Sequence, residues 1–135
     1  MSHDVFKDQE MFMRACGQEV DAPNMEQFKM YANLIGEEVN EFWDAVDKKD
    51  DVEIFDALLD IIVVAVGAGV SAGFPMQFGW DEVVLSNMRK VDPKTGMVQR
   101  RADGKILKPE GWKPPNLLKV MERNASFKKT QKANS

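Results

Sequence analysis

From Asn24 onward the apolar residues fall into a helical rhythm: Phe28, Tyr31, Ile35, Val39, Phe42 and Val46 recur every three or four positions, which marks one face of a helix. Asn24 offers an N-cap and Gln27 completes a capping-box pattern, so a long amphipathic helix is expected to about Val46. The polar run DKKDD (47–51) then breaks the pattern, and Asp50 or Asp51 can cap a second helix from Val52 to about Val70. Outside an acidic stripe this second helix is almost entirely Ile, Phe, Leu, Val and Ala, which predicts burial over most of its surface, carboxylates included. So short a connection predicts that the two helices lie antiparallel.

The flanking segments carry weaker patterns. Ser2, His3 and Asp4 offer N-caps for a helix from Val5 to Cys16, with Phe6, Met13 and Phe12 expected inward and Gly17 as its stop. Pro75 suits the first turn of a further helix to Lys90, with Phe78, Val83, Val84 and Met88 as core positions. Beyond Val91 the chain turns to Pro, Gly and basic residues, and Asp103-Gly104 between RRA and KILK predicts a small hairpin. Lys119 to Ser135 reads as a short helix fading into a polar tail. The expected architecture is an all-α antiparallel bundle: a single domain over 1–116 with a basic lobe at about 92–116, then a partly disordered helix and tail over 117–135.

Composition narrows the class. A chain of 135 residues, 44% hydrophobic and 30% charged, fits one globular domain. With 22 acidic against 18 basic residues, a nucleic-acid-binding surface is not expected. Cys16 is the only cysteine; no intrachain disulfide can form, a cytoplasmic setting is favoured, and the thiol is expected as a small apolar filler. MSHDVFKDQE lacks the basic-then-apolar order of a signal peptide. Ile61 to Phe74 is apolar but short and interrupted by Gly67, Gly69, Ser71 and Gly73, so a buried central helix is expected there and no membrane span. Trp43 reads as a packing residue ahead of a base-stacking one.

The candidate chemistry lies in six carboxylates. Glu37, Glu38 and Glu41 share the first long helix; Glu53, Asp56 and Asp60 share the second. Residues three or four apart occupy one helix face, so each helix carries an acidic stripe, and antiparallel packing would turn the stripes toward each other. Buried carboxylates repel and need a counter-charge, yet no Lys or Arg occurs between Lys49 and Arg89. A hard divalent cation, magnesium or manganese, is the expected partner.

The order EExxE, short spacer, ExxD, written here as Glu37, Glu38, Glu41, Glu53 and Asp56, resembles the signature of the MazG-like all-α nucleoside triphosphate pyrophosphohydrolases. DALLDIIVVAVGAGVSAGFP, SNMRK at Ser86 to Lys90 and ADGKILKPEGWKPPN look like the phosphoribosyl-ATP pyrophosphohydrolase-like branch, so the resemblance spans roughly Glu10 to Asn116. It implies Glu38, Glu41, Glu53 and Asp56 as metal ligands, Glu37 as the residue that orients or deprotonates the attacking water, and a homodimer or dimer of dimers. Asp60 is extra to the motif and is expected to support the ligands.

Cleavage between the α and β phosphates of a nucleoside triphosphate needs a metal, an activated water and cations for the leaving pyrophosphate. Asn87, Lys90, Arg100, Lys105 and Lys108 are the expected phosphate contacts, although SNMRK also reads as a helix end with favourably placed charge. The expected function is a metal-dependent (deoxy)nucleoside triphosphate pyrophosphohydrolase that serves nucleotide-pool balancing or house-cleaning. Hydrolysis of phosphoribosyl-ATP and a non-catalytic metal-binding helical module are the alternatives. A carboxylate-bridged di-iron bundle would use Glu-x-x-His pairs, and the sole histidine is His3.

Overall fold

The computed structural model describes residues 3–133, with side chains except at 127 and 130–133. Two compact units divide the chain, Met1–Met76 and Gln77–Ser135. Ser2, one of the expected caps, lies outside the described residues.

The first unit holds helices α1 (Val5–Ala15), α2 (Met25–Asp47) and α3 (Asp51–Ser71). Each begins on a short polar side chain that satisfies an otherwise orphaned N–H. Asp4 accepts from the Phe6 and Lys7 amides, Asn24 from Gln27 and Asp50 from Glu53. The end of α2 is a two-bond wrap: Lys49 N–H donates to the Val46 carbonyl and Asp50 N–H to Ala45, with Lys49 at φ 56°. A left-handed non-glycine residue is strained, yet here it turns the chain through three residues and starts α3.

Gln27 does not close the capping box; its side chain turns the other way. Its Nε2 donates to the Glu19 carbonyl and to Ser71 Oγ, both at 2.8 Å, while Oε1 accepts from the Glu19 amide at 2.9 Å. The Asn24 amide that a box would satisfy donates to the Ser71 carbonyl instead. One amide side chain thus ties the 17–24 loop to the start of α2 and the end of α3.

At the next contact along these helices, Gly67 lies against Tyr31. A Cβ at Gly67 would fall 2.6 Å from Tyr31 Cδ1 and 2.7 Å from Cζ, so only glycine admits the ring. The phenol beyond it donates to Gln18 Oε1 at 2.6 Å. Pairing of Gln27 with Ser71 and of Tyr31 with Gly67, followed by the tight turn at 48–50, runs α2 and α3 antiparallel. The core around this contact is Met13, Tyr31, Val64, Val66, Ala68 and Val70, with Phe6, Phe28, Leu34 and Ile35 packed on it.

Burial is far from uniform. Only Ala57, Val64 and Val66–Ser71 of α3 are buried; Val52 and Phe55 are 76% and 66% exposed, and Leu58, Leu59, Ile62 and Val63 are exposed with them. The expected burial over most of α3, carboxylates included, is therefore wrong for the single chain: α2 and α1 cover its C-terminal half, and in its N-terminal half only Ala57 is buried. Phe12, Val39 and Trp43 are likewise exposed, with the Trp43 ring edge-on to Phe42 at 5.2 Å between ring centres. Cys16 caps α1 as an exposed thiol and fills no core. With 21 residues, α3 is long and apolar enough to cross a bilayer by length and composition, a test that core helices also pass. Its acidic first half and its covered second half argue for the latter.

The second unit takes α4 (Met76–Met88) into an antiparallel meander of β1 (Val91–Asp92), β2 (Met97–Arg100) and β3 (Ile106–Leu107), then α5 (Leu117–Ala133). Val91 pairs with Val98, and Gln99 with Leu107. Phe78, Val84 and Met88, expected in the core, are exposed, and the buried position of α4 is Ser86. Where a polar tail was expected, α5 continues to Ala133. Its start is fixed by Asn116, whose side chain accepts from the Lys119 amide while its own amide donates to Glu82 Oε1 on α4.

Candidate active site

Antiparallel packing brings the two acidic stripes together about two helical turns beyond the Tyr31–Gly67 contact. Glu38 feels Glu41 on its own helix and Asp60 and Asp56 across the interface; Asp60 feels Asp56 and Glu41. The convergent set is therefore Glu38, Glu41, Asp56 and Asp60. Among the described residues no ion pair involves any of them.

Electrostatics at this point are unfavourable as they stand. Desolvation, then the adjacent Glu41, then Asp60 and Asp56 push the Glu38 carboxyl up to about 7. Desolvation, followed by Asp56 and Glu41, raises Asp60 in the same direction. Glu38 Oε2 is shielded from solvent and has no hydrogen-bond partner. Glu38 and Glu41 stand close enough to share a proton, but two ionised carboxylates have none to share. A partnerless buried carboxylate oxygen is costly, and here every neighbouring charge has the same sign.

Asp60, expected only to support the ligands, is a full member of the cluster. Its signal was available in the sequence, since it follows Asp56 by one turn of the same face. Glu53, expected as a ligand, is exposed on the first turn of α3 and is not among the charges acting on Glu38 or Asp60. Glu37 is exposed beside the cluster. The donors are all carboxylate oxygens, as a magnesium or manganese ion requires, and the partnerless Glu38 oxygen fits such a ligand. As the side chains stand, no three of them close on one point among the described residues.

The expected phosphate contacts all lie in the second unit. Lys90 Nζ donates to Asn87 Oδ1 at 3.1 Å, Arg100 donates to the Gly104 carbonyl at 3.2 Å, and Lys105 and Lys108 are exposed. Trp112, which the sequence reading passed over, connects several of these residues: its Nε1 donates to the Ser86 carbonyl at 2.8 Å, and the Lys90 and Lys108 ammonium groups lie 5.1 and 4.7 Å from its ring centre.

The sequence model for phosphoribosyl-ATP pyrophosphohydrolase matches residues 9–87, more than half of the chain. The chain belongs to that family. The match includes all six carboxylates and ends at Asn87, so the family resemblance and the acidic cluster coincide on α2 and α3. No curated protein matches the chain closely enough to count as a relative. For a phosphoribosyl-ATP pyrophosphohydrolase family member the mostly helical fold is the expected one, and a pyrophosphohydrolase-type function follows.

Proposed function

We propose that this family member hydrolyses a (deoxy)nucleoside triphosphate to the monophosphate and pyrophosphate, with magnesium or manganese, in nucleotide-pool balancing or house-cleaning. The observation that carries the reading is the shielded, partnerless Glu38 oxygen among Glu41, Asp56 and Asp60. Such an arrangement is unstable alone and stabilised by a divalent cation.

Glu38, Glu41 and Asp56 would hold the ion, with Asp60 joining or backing them and Glu53 swinging in from the first turn of α3. The bound ion would polarise phosphoryl oxygens and neutralise developing charge. Glu37, on the same helix but outside the cluster, takes the proton from the attacking water. The water oxygen bonds to the α phosphorus, the bond from that phosphorus to the α–β bridging oxygen breaks, and pyrophosphate leaves with that oxygen. Asn87, Lys90, Arg100, Lys105 and Lys108 are assigned to the phosphates.

The family match is equally compatible with phosphoribosyl-ATP as substrate, a nucleotide carrying the same α–β linkage. The exposed stripe of Val52, Phe55, Leu59 and Ile62 on one face of α3 supports assembly with a second copy. The free, exposed Cys16 suits a reducing, cytoplasmic setting. Incubation with a panel of canonical and modified nucleoside triphosphates and phosphoribosyl-ATP, plus magnesium or manganese, tests the reading by its products. Monophosphate with pyrophosphate from a nucleoside triphosphate is expected. Diphosphate with phosphate, or turnover of phosphoribosyl-ATP alone, would overturn it.

A further inference from the structure

Trp112 occupies an unusual electrostatic position in the second unit. Its indole N–H is fixed on the Ser86 carbonyl at 2.8 Å, in the last turn of α4. Against its ring stand two ammonium groups, Lys90 at 5.1 Å and Lys108 at 4.7 Å from the centre. Lys90 is held further by Asn87 Oδ1 at 3.1 Å. Among the described residues neither ammonium pairs with a carboxylate.

Each cation gains from the negative face of the ring, so one ring, itself pinned to α4 through Ser86, holds two positive charges 5.1 and 4.7 Å from its centre. A cavity of about 260 Å³ opens beside Lys90, lined also by Gln99, Asp92 and Glu110. Asp92 accepts from the Lys94 amide and from Gln99 Nε2, neutral donors that leave its charge in place, so an anion bound there meets Asp92 and Glu110 as well as the ammonium groups that must outweigh them. A compact polyanion would bring the counter-charge that the two ammonium groups lack.

We propose that Trp112 is a positioning residue whose ring holds Lys90 and Lys108 as an uncompensated cation pair for a pyrophosphate group. This rests on the preceding reading for the identity of the anion, and not for the geometry. The pair binds phosphate oxygens by charge-assisted hydrogen bonds, and the ring keeps both flexible side chains in place before the anion arrives.

Calorimetric titration of the full chain with inorganic pyrophosphate in EDTA at low salt tests this without turnover or metal. Trp112→Phe keeps the ring and loses the N–H; Trp112→Leu loses both. Trp112→Phe should bind within about threefold of the wild type and Trp112→Leu at least about tenfold more weakly, since only the ring faces cations. The double variant Lys90→Met/Lys108→Met leaves the Trp112 anchor intact and should show no measurable binding. Equal weakening by Phe and Leu would make Trp112 a structural pin and overturn the proposal. So would a neutral Trp112→Leu, a double variant that binds like the wild type, or a wild type that does not bind. Pyrophosphate binding that behaves as expected in a protein without triphosphate hydrolysis would sink the proposed activity and leave the cation pair standing.

Discussion

Replacing Glu38 by Gln should stabilise the metal-free protein and remove its response to metal. In the folded chain the Glu38 carboxyl titrates at about 7 against an ordinary 4.5. The folded state therefore keeps a proton through a range in which the unfolded chain has released it, so stability is greatest below the lower value, falls as pH rises through the window, and is flat above about 7. At ~1.4 kcal/mol per pH unit the full gap would be worth about 3 kcal/mol. Glu38 keeps partial contact with solvent, and screening cuts the expected cost of its charge to ~1–2 kcal/mol. Gln has the same shape, carries no charge and can donate to Glu41. At pH 8 in EDTA the variant should melt about 3–8 °C above the wild type, and the gap should shrink toward pH 5, where the wild-type carboxyl is protonated. Adding magnesium should raise the wild-type melting temperature by ligand linkage and leave the variant unmoved. Thermal melts followed by far-ultraviolet circular dichroism measure all of this. A variant that melts at or below the wild-type temperature in EDTA at pH 8 would refute the idea of a strained, same-sign cluster.

Glu37→Gln should retain magnesium-induced stabilisation and lose turnover by about 100-fold or more, the typical worth of a general base; loss of the stabilisation as well would make Glu37 a ligand. Asp60→Asn and Glu53→Gln, compared by magnesium titration, should show the larger loss of metal affinity at Asp60, and the reverse order would restore Glu53 to the first rank. Gly67→Ala should cost at least ~2 kcal/mol in urea denaturation, because its methyl would overpack the Tyr31 ring, whereas a change under ~0.5 kcal/mol would show that the helices separate easily. In light scattering at micromolar concentration the chain should be at least a dimer, and Phe55→Glu should shift it toward monomer; a monomeric wild type would leave the exposed α3 stripe unexplained.

Local chemistry was written plainly in the chain. Asp4, Asn24 and Asp50 start their helices by bonding amides two or three residues away, and the three-to-four-residue spacing of Glu38 with Glu41 and Asp56 with Asp60 sets the acidic stripes before any packing occurs. These features depend on neighbours in sequence, so sequence determines them. Tertiary structure decided everything that depends on a distant partner. Gln27 abandons its capping box because Glu19 and Ser71 offer three hydrogen bonds to one amide. Asp60 enters the cluster and Glu53 stays at its edge because the antiparallel register set by Tyr31 on Gly67 brings Glu38 to Asp60. Trp112 collects Lys90 and Lys108 only when the meander folds back on the end of α4. Even the apolar character of α3 does not by itself say what covers it: a periodic pattern records that a face needs burial, while the surface that meets it must come from elsewhere, from α1 and α2 at Val64 to Val70 and from no part of this unit at the outward side chains of Val52, Phe55, Leu59 and Ile62.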